Sequence, residues 1–120
     1  MRIGGGIEKI YHNPEEWVRY AKDLRYIAVL SPIDSRSDTT TRREYLKAAK
    51  EADLLIGEVG VWRNCLSKND AERKDAMEYA KAQLALAEEL GANCCVNIIG
   101  NGVIIDPHIL KGEIEGLREA

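Results

Sequence analysis

A carboxylate and an amide lie inside two apolar runs of the sequence, where each has the chemistry to bind a small polar molecule. Glu58 falls within the run at residues 54–62, and Asn97 falls within the run at residues 94–100. Burying a lone carboxylate is costly unless it is paired or binds a metal, and a buried amide must find hydrogen-bond partners. Each residue therefore indicates either a ligand contact or a structural role. The structural role would be an ion pair with an arginine for Glu58 and an ordered loop for Asn97.

Further polar and aromatic side chains follow two of the apolar segments. Trp62 is followed by Arg63 and Asn64, while Asp34 and Arg36 come after the segment that ends near Leu30. An aromatic platform beside hydrogen-bonding groups suits a sugar or another small polar substrate. The alternatives are that Trp62 caps the core and that Asp34 and Arg36 belong to a solvated or mutually paired loop.

The elements that must position these residues form a parallel β-α-β pattern. Two continuously apolar runs of strand length flank a long helical segment that ends at Gly91, which is typical of a parallel sheet buried on both faces. Strands are predicted at residues 2–7, at 26–30, from Leu54, and at 93–99. The fold class is therefore α/β, with about four (β/α) units, and the carboxyl ends of such strands are where ligands bind.

Helix boundaries are marked by capping residues. Asn13 and Pro14 predict an N-cap followed by proline at the first helical position, and Ser67 or Asn69 can cap the long helix. Gly91 suits the left-handed position after that helix. From about residue 107 we expect a weakly helical tail, because two glycines reduce its helix propensity.

Composition and charge restrict the class of protein. A length of 120 residues is about one domain, and a net charge of −3 gives no support to a nucleic-acid or anionic-membrane partner. No apolar stretch approaches a membrane span of roughly 20 residues, and the start lacks a secretory signal, so a cytoplasmic location is expected.

The cysteines and histidines show no metal-ligand spacing. Cys94 and Cys95 are predicted to be two small buried residues, whereas Cys65 lies in a predicted loop and is the thiol to test for reactivity. His12 and His108 are far apart in the sequence. We therefore predict no metal site and no cofactor in this chain.

Four segments together resemble the amino-terminal half of sugar phosphate isomerase/epimerase proteins, the xylose isomerase-like TIM barrels. They read PIDSR at residues 32–36, ADLLIGEVGVW at 52–62, LALAEELGA at 84–92 and CCVNIIG at 94–100. The likeness runs from about Asn13 to Gly100. The resemblance implies a single (β/α)4 domain over residues 1–120, equivalent to half of an eight-stranded barrel.

The same resemblance implies a function and its limits. Glu58, Trp62 and Asn97 match positions at the mouth of strands three and four, which shape the substrate pocket in such proteins. Their divalent metal, Mn or Mg, is held mainly by strands five to eight, so the metal is expected only in full-length relatives. An isolated half-barrel is then not expected to be catalytic.

Partners follow from the half-barrel expectation. An open four-stranded sheet would expose edge groups and an apolar face, which predicts a homo-oligomer or a missing carboxyl-terminal half-barrel that covers them. A small sugar is the expected ligand. The alternatives are a non-catalytic homo-oligomeric assembly or polyol-binding module and, as a third option, an open flavodoxin-like sheet.

Overall fold

The computed structural model describes residues 3–98 and 107–120, and within them four parallel strands alternate with four helices. The elements in chain order are β1 (Gly4–Gly5), α1 (Pro14–Asp23), β2 (Ala28–Leu30), α2 (Thr39–Glu51), β3 (Leu55–Val61), α3 (Asp70–Leu90), β4 (Cys94–Asn97) and α4 (Pro107–Glu119). The strands pair in the order β1-β2-β3-β4, and every pairing is parallel. The predicted α/β fold of repeated (β/α) units is thereby confirmed. The predicted strand ends at residues 2 and 99 lie outside the described residues.

The capping residues behave as the sequence predicts. Asn13 caps α1, and its side chain accepts a hydrogen bond of 2.8 Å from the Glu16 N–H. Asn69, rather than Ser67, caps α3 by accepting from two N–H groups of its first turn. Gly91 ends α3 with φ of 68°, a left-handed conformation that glycine adopts without strain. These local signals fix both ends of the longest helix.

The first strand is shorter than predicted because its glycines serve close backbone approach. β1 comprises only Gly4 and Gly5, which pair with Ala28 and Val29 of β2. A Cβ atom at Gly4 would overlap the carbonyl oxygen of Ala28, so a side chain cannot be accommodated there. The glycine run thus places β1 against β2.

The three helices α1, α2 and α3 share one hydrophobic core with the sheet. Trp17 of α1 is 1% exposed, and Leu86 of α3 is equally buried. Their core partners on the strands include Val29, Ile56 and Val59. Parallel crossovers are right-handed, so a sequential strand order places the connecting helices on the same face of the sheet. A doubly wound sheet, in contrast, reverses its strand order.

A bulge in β3 turns Glu58 toward the face that these helices leave uncovered. Val29 pairs with Ile56, but the next residue, Leu30, pairs with Glu58, so Gly57 is an extra residue in β3. Strand side chains alternate between faces, and without the extra residue Glu58 would share the helix-covered face with Ile56. With it, Val59 returns to the core and Glu58 points to the uncovered face.

The three cysteines differ from the prediction in one respect. Cys94 is exposed, whereas Cys95 is partly buried and Cys65 is fully buried. The prediction that Cys94 is buried was wrong because Cys94 pairs with Glu58 and shares its uncovered face, while Cys95 pairs with core residue Val59. Among residues 3–98 and 107–120, no helix has both the length and the apolarity needed to cross a membrane.

Candidate functional site

A cavity of about 420 Å³ lies at the carboxyl ends of β2 and β3. Three of the residues predicted for a ligand site line it, namely Asp34, Glu58 and Trp62. The loop at residues 31–37 forms one wall, and α3 forms another through Tyr79 and Gln83. The cavity therefore occupies the edge of the sheet where parallel α/β proteins bind ligands.

Trp62 lies across Gly60 and forms an open platform at this cavity. The indole is so close that a Cβ atom at Gly60 would stand 2.5 Å from Trp62 Nε1. Trp62 is nevertheless 61% exposed, so it does not cap the core. An exposed aromatic face beside carboxylates is suited to the apolar face and the hydroxyl groups of a sugar ring.

We expect Gly60→Ala to displace the Trp62 indole. The added methyl group would occupy the position of the ring, but the ring is an exposed side chain and can move away. Stability should therefore change by less than about 1 kcal/mol, whereas Trp62 fluorescence should shift to longer wavelength and become more accessible to acrylamide.

Gly57→Ala is the matched control in the same strand, because a Cβ atom at Gly57 meets no atom within 4 Å. It should leave the Trp62 fluorescence unchanged. Identical spectra for the two variants would contradict the described contact between Trp62 and Gly60. The buried Trp17 supplies a constant background in both.

The two carboxylates of the cavity differ in their surroundings. Among the described residues, no basic side chain lies within ion-pair distance of Glu58, so the alternative of an arginine pair is not observed. Asp34 accepts a hydrogen bond of 2.8 Å from the Arg36 N–H, a common way for aspartate to stabilise a turn. Glu58 is thus the carboxylate with more capacity left for a ligand.

Gln83 positions the loop that covers the cavity, and it was not predicted as a site residue. Its Oε1 accepts from the Ser35 N–H at 2.7 Å, and its Nε2 donates to the Gly60 carbonyl oxygen at 2.9 Å. The side chain is 2% exposed and both its polar atoms are bonded. A glutamine among the small residues Ala76 and Ala80 on one helix face was the sequence signal for this role.

Two arginines from different loops meet at Tyr79. The guanidinium carbon of Arg36 lies 5.1 Å from the centre of the Tyr79 ring, and that of Arg63 lies 4.9 Å from it. Burial raises the pKa of Tyr79, the charge of Asp34 raises it further, and the two guanidinium groups oppose the rise. Arg36 therefore reaches the cavity through Tyr79, which lines the cavity, rather than by lining it directly.

Asn97 lies on the other face of the sheet from Glu58. Asn97, the last residue of β4, pairs with the buried Val61 of β3, and its Nδ2 donates to Glu113 Oε1 of α4 at 2.8 Å. The structure therefore separates two residues that the sequence suggested as neighbours in one site. The structural alternative was an ordered loop, whereas the observed partner of the amide belongs to helix α4.

Glu113 forms the centre of a buried polar cluster with Asn97 and Cys65. The residue is 4% exposed, and burial raises the pKa of its carboxyl group, while hydrogen bonds from Asn97 and Cys65 oppose the rise. Burial likewise raises the pKa of Cys65 to about 11. The Cys65 thiol is therefore poorly suited to act as a nucleophile near neutral pH.

The described residues bring few metal-ligating side chains together. Asp34 and Glu58 are two carboxylates at one cavity, but no group of three or more His, Cys, Asp or Glu side chains within residues 3–98 and 107–120 is arranged to hold an ion. Magnesium is commonly held by one or two carboxylates together with waters and substrate oxygens, so two carboxylates alone do not define a metal site.

Fold and cavity together define a parallel (β/α) protein with an aromatic and acidic pocket at the carboxyl edge of its sheet. Comparison with known proteins adds no family to this description, because no family model matches the chain and no curated protein matches it significantly. The functional interpretation therefore depends on the geometry of the pocket and on the resemblance described above.

Proposed function

We propose that this chain is a half-barrel of the sugar isomerase type that binds a small polyhydroxylated molecule, a sugar or polyol, in the cavity beside Trp62. The observation that carries the proposal is the joint placement of the exposed Trp62 indole with Glu58 and Asp34 in one cavity of about 420 Å³. A sugar presents one apolar face to an aromatic ring and hydroxyl donors to carboxylates, which is the complement of this pocket.

Binding and orientation are the roles that these residues support. Glu58 would accept hydroxyl hydrogen bonds, Trp62 would pack against the ring, and Gln83 would keep the covering loop in place. Isomerisation by the metal-assisted route of the resembling proteins needs ligands beyond these residues. We therefore propose binding for this chain, with turnover requiring a second half-barrel.

Glu58→Gln tests the ligand role. The change removes the charge of the acceptor while keeping its size, so affinity for a sugar should fall at least about tenfold, the value of one charge-assisted hydrogen bond. The measurement is quenching of Trp62 fluorescence with a panel of neutral pentoses, hexoses and their alcohols. The free energy of unfolding should stay within about 0.5 kcal/mol of the parent value, since Glu58 makes no described ion pair.

Two variants make this experiment decisive. Glu88→Gln, on the exposed face of α3, removes the same charge elsewhere and should leave affinity unchanged. Trp62→Leu should abolish the quenching and weaken binding measured by calorimetry. Absence of saturable binding to every member of the panel by the parent chain would defeat the proposal, and loss of stability without loss of binding in Glu58→Gln would assign Glu58 a structural role.

A second copy of the chain is the partner we propose for the uncovered face. That face carries the exposed apolar side chains Leu30 and Trp62 beside the exposed Cys94, whereas the opposite face is packed by helices. Four sequential parallel strands make half of an eight-stranded barrel, and two copies related by a two-fold axis would pair β4 of each with β1 of the other. A carboxyl-terminal half-barrel is the alternative occupant.

Cys94 reports on this association. Light scattering should give the mass of a dimer, and alkylation of Cys94 should slow down as protein concentration rises, because association covers its face. Leu30→Asp should yield a monomer in which Cys94 reacts quickly. Cys65 is the internal control, since it is fully buried and its alkylation rate should not depend on protein concentration at a fixed pH. A monomer with Cys94 reactive at every concentration would contradict the proposal.

A further inference from the structure

We propose that Arg36 and Arg63, held on the ring of Tyr79, form an anion-binding subsite at the rim of the cavity, which takes the phosphate or carboxylate group of the bound molecule. This inference rests on the proposed function and adds the charge of the ligand to it. The residues come from three separate elements: the loop after β2, the loop after β3, and α3.

Tyr79 brings the two cations together. Their guanidinium carbons lie 5.1 Å and 4.9 Å from the centre of one ring, so they are no further apart than those two distances combined. Two positive charges beside one ring repel each other, and a π system, an acid or a bound anion compensates for the repulsion. Tyr79 lines the cavity itself, which connects the pair of cations to the space where the ligand would lie.

Neither guanidinium group of the rim has an ion-pair partner among the described residues. A guanidinium stacked on a ring uses its face and leaves its edge N–H groups for other acceptors. By contrast, Arg42 pairs with Glu89 at 2.8 Å, and Arg73 is paired with Asp70. The rim arginines thus differ from those that serve the fold.

The charges of the pocket define the orientation of a ligand. Asp34 and Glu58 line the cavity and would repel an anion there, and the charge of Asp34 also raises the pKa of Tyr79. An anionic group would therefore lie at Arg36 and Arg63, while hydroxyl groups point inward to the carboxylates. Guanidinium groups bind phosphate and carboxylate oxygens in a bidentate geometry, so either oxyanion satisfies the chemistry.

Calorimetric titration with inorganic phosphate at constant ionic strength tests the subsite by itself. The parent chain should show saturable binding, and Arg36→Met or Arg63→Met should weaken it about tenfold, the value of one charge-assisted contact. Arg63→Lys should recover only part of the affinity, since lysine keeps the charge but loses the planar fork. Both arginines are at least partly exposed, so the variants should fold normally.

Arg19 offers a matched control. The guanidinium carbon of Arg19 lies 5.2 Å from the ring centre of Tyr20, and Lys9 Nζ lies 5.2 Å from the same ring centre. Tyr20, however, lines a different cavity, which includes Glu8 and Asp23. Arg19→Met should leave phosphate affinity unchanged. An equal loss in Arg19→Met, or no saturable binding by the parent chain, would overturn the subsite.

A second titration separates this inference from the proposed function. Sugar phosphates and sugar acids, compared with the neutral sugar, distinguish a phosphate ligand from a carboxylate ligand. Binding of inorganic phosphate without any binding of neutral or charged sugars would leave the subsite standing and defeat the sugar site. Binding of neutral sugars with no gain from an added anionic group would defeat the subsite alone.

Discussion

Gln83→Leu should lower the free energy of unfolding by about 2 kcal/mol, because it leaves two partly buried backbone groups without their partner. The Gln83 side chain joins the Ser35 N–H at 2.7 Å to the Gly60 carbonyl oxygen at 2.9 Å. It thereby continues the hydrogen bonding of β3 beyond the end of β2 and holds the loop over the cavity. Leucine has a similar volume, so the loss comes from hydrogen bonds rather than from a cavity.

Urea unfolding measures this loss, and Glu88→Leu supplies the control. Glu88 is exposed on the same helix, and the same kind of change there should stay within about 0.5 kcal/mol. Gln83→Leu should also weaken ligand binding, since the loop at residues 31–37 loses its attachment to α3. An unchanged midpoint in Gln83→Leu would show that the loop finds other partners and that Gln83 does not position it.

Local signals in the sequence predicted most of the fold. Asn13, Asn69 and Gly91 mark helix ends through hydrogen bonds and a backbone conformation that depend on single residues and their immediate neighbours. The apolar runs likewise predicted β3 and β4, because a strand covered by helices needs little from distant residues. The lengths of β1 and β2 were overestimated, since pairing and not composition decides where a short strand ends.

The candidate site was predicted less completely, because the sequence does not show to which face of the sheet each side chain points. The face to which Glu58 points depends on the bulge at Gly57, and a one-residue insertion in a strand reverses the direction of every later side chain. The sequence alone does not reveal that insertion. Asn97 shows the same limit, because its position in the strand was foreseen but its contact with Glu113 comes from a helix 16 residues away. Gln83 was missed because its two partners are distant in sequence.

Glu113 should make the stability of the chain depend on pH, in the direction opposite to that of a salt-bridged carboxylate. Burial raises the pKa of Glu113 in the folded chain above its ordinary value near 4.5. The folded state then binds the proton more tightly than the unfolded state. Stability is therefore fully retained below about pH 4.5 and falls as the pH rises through the raised folded value.

The variants of Glu113 separate charge from packing. Glu113→Gln keeps an acceptor for the Asn97 amide but has no ionisable group, so its free energy of unfolding should lose this pH dependence. Relative to the parent chain, the variant should become more stable as the pH rises. Glu113→Ala should cost about 2 kcal/mol at low pH, because it leaves the buried Asn97 amide unpartnered. Other titratable or charged groups that line the cavity beside Glu113 are His108 of α4 and, from other elements, Cys65, Arg73, Lys74 and Glu78. The pKa of Cys65, about 11, keeps that thiol un-ionised throughout the range.

Urea unfolding of the parent chain and Glu113→Gln, compared between pH 4.5 and pH 8, measures the effect directly. Glu115→Gln is the control on the same helix, because Glu115 is exposed and pairs only with Lys111 at 3.7 Å. The rate of Cys65 alkylation, compared between the parent chain and Glu113→Gln at the same pH, adds a local readout, since ionisation of Glu113 is expected to loosen α4 from the end of β4 and uncover the thiol. A stability difference between the parent chain and Glu113→Gln that stays constant with pH would mean that Glu113 ionises normally in the folded chain. In that case the contact between α4 and Asn97 would be maintained by the ionised carboxylate, and the loosening of α4 at higher pH would not occur.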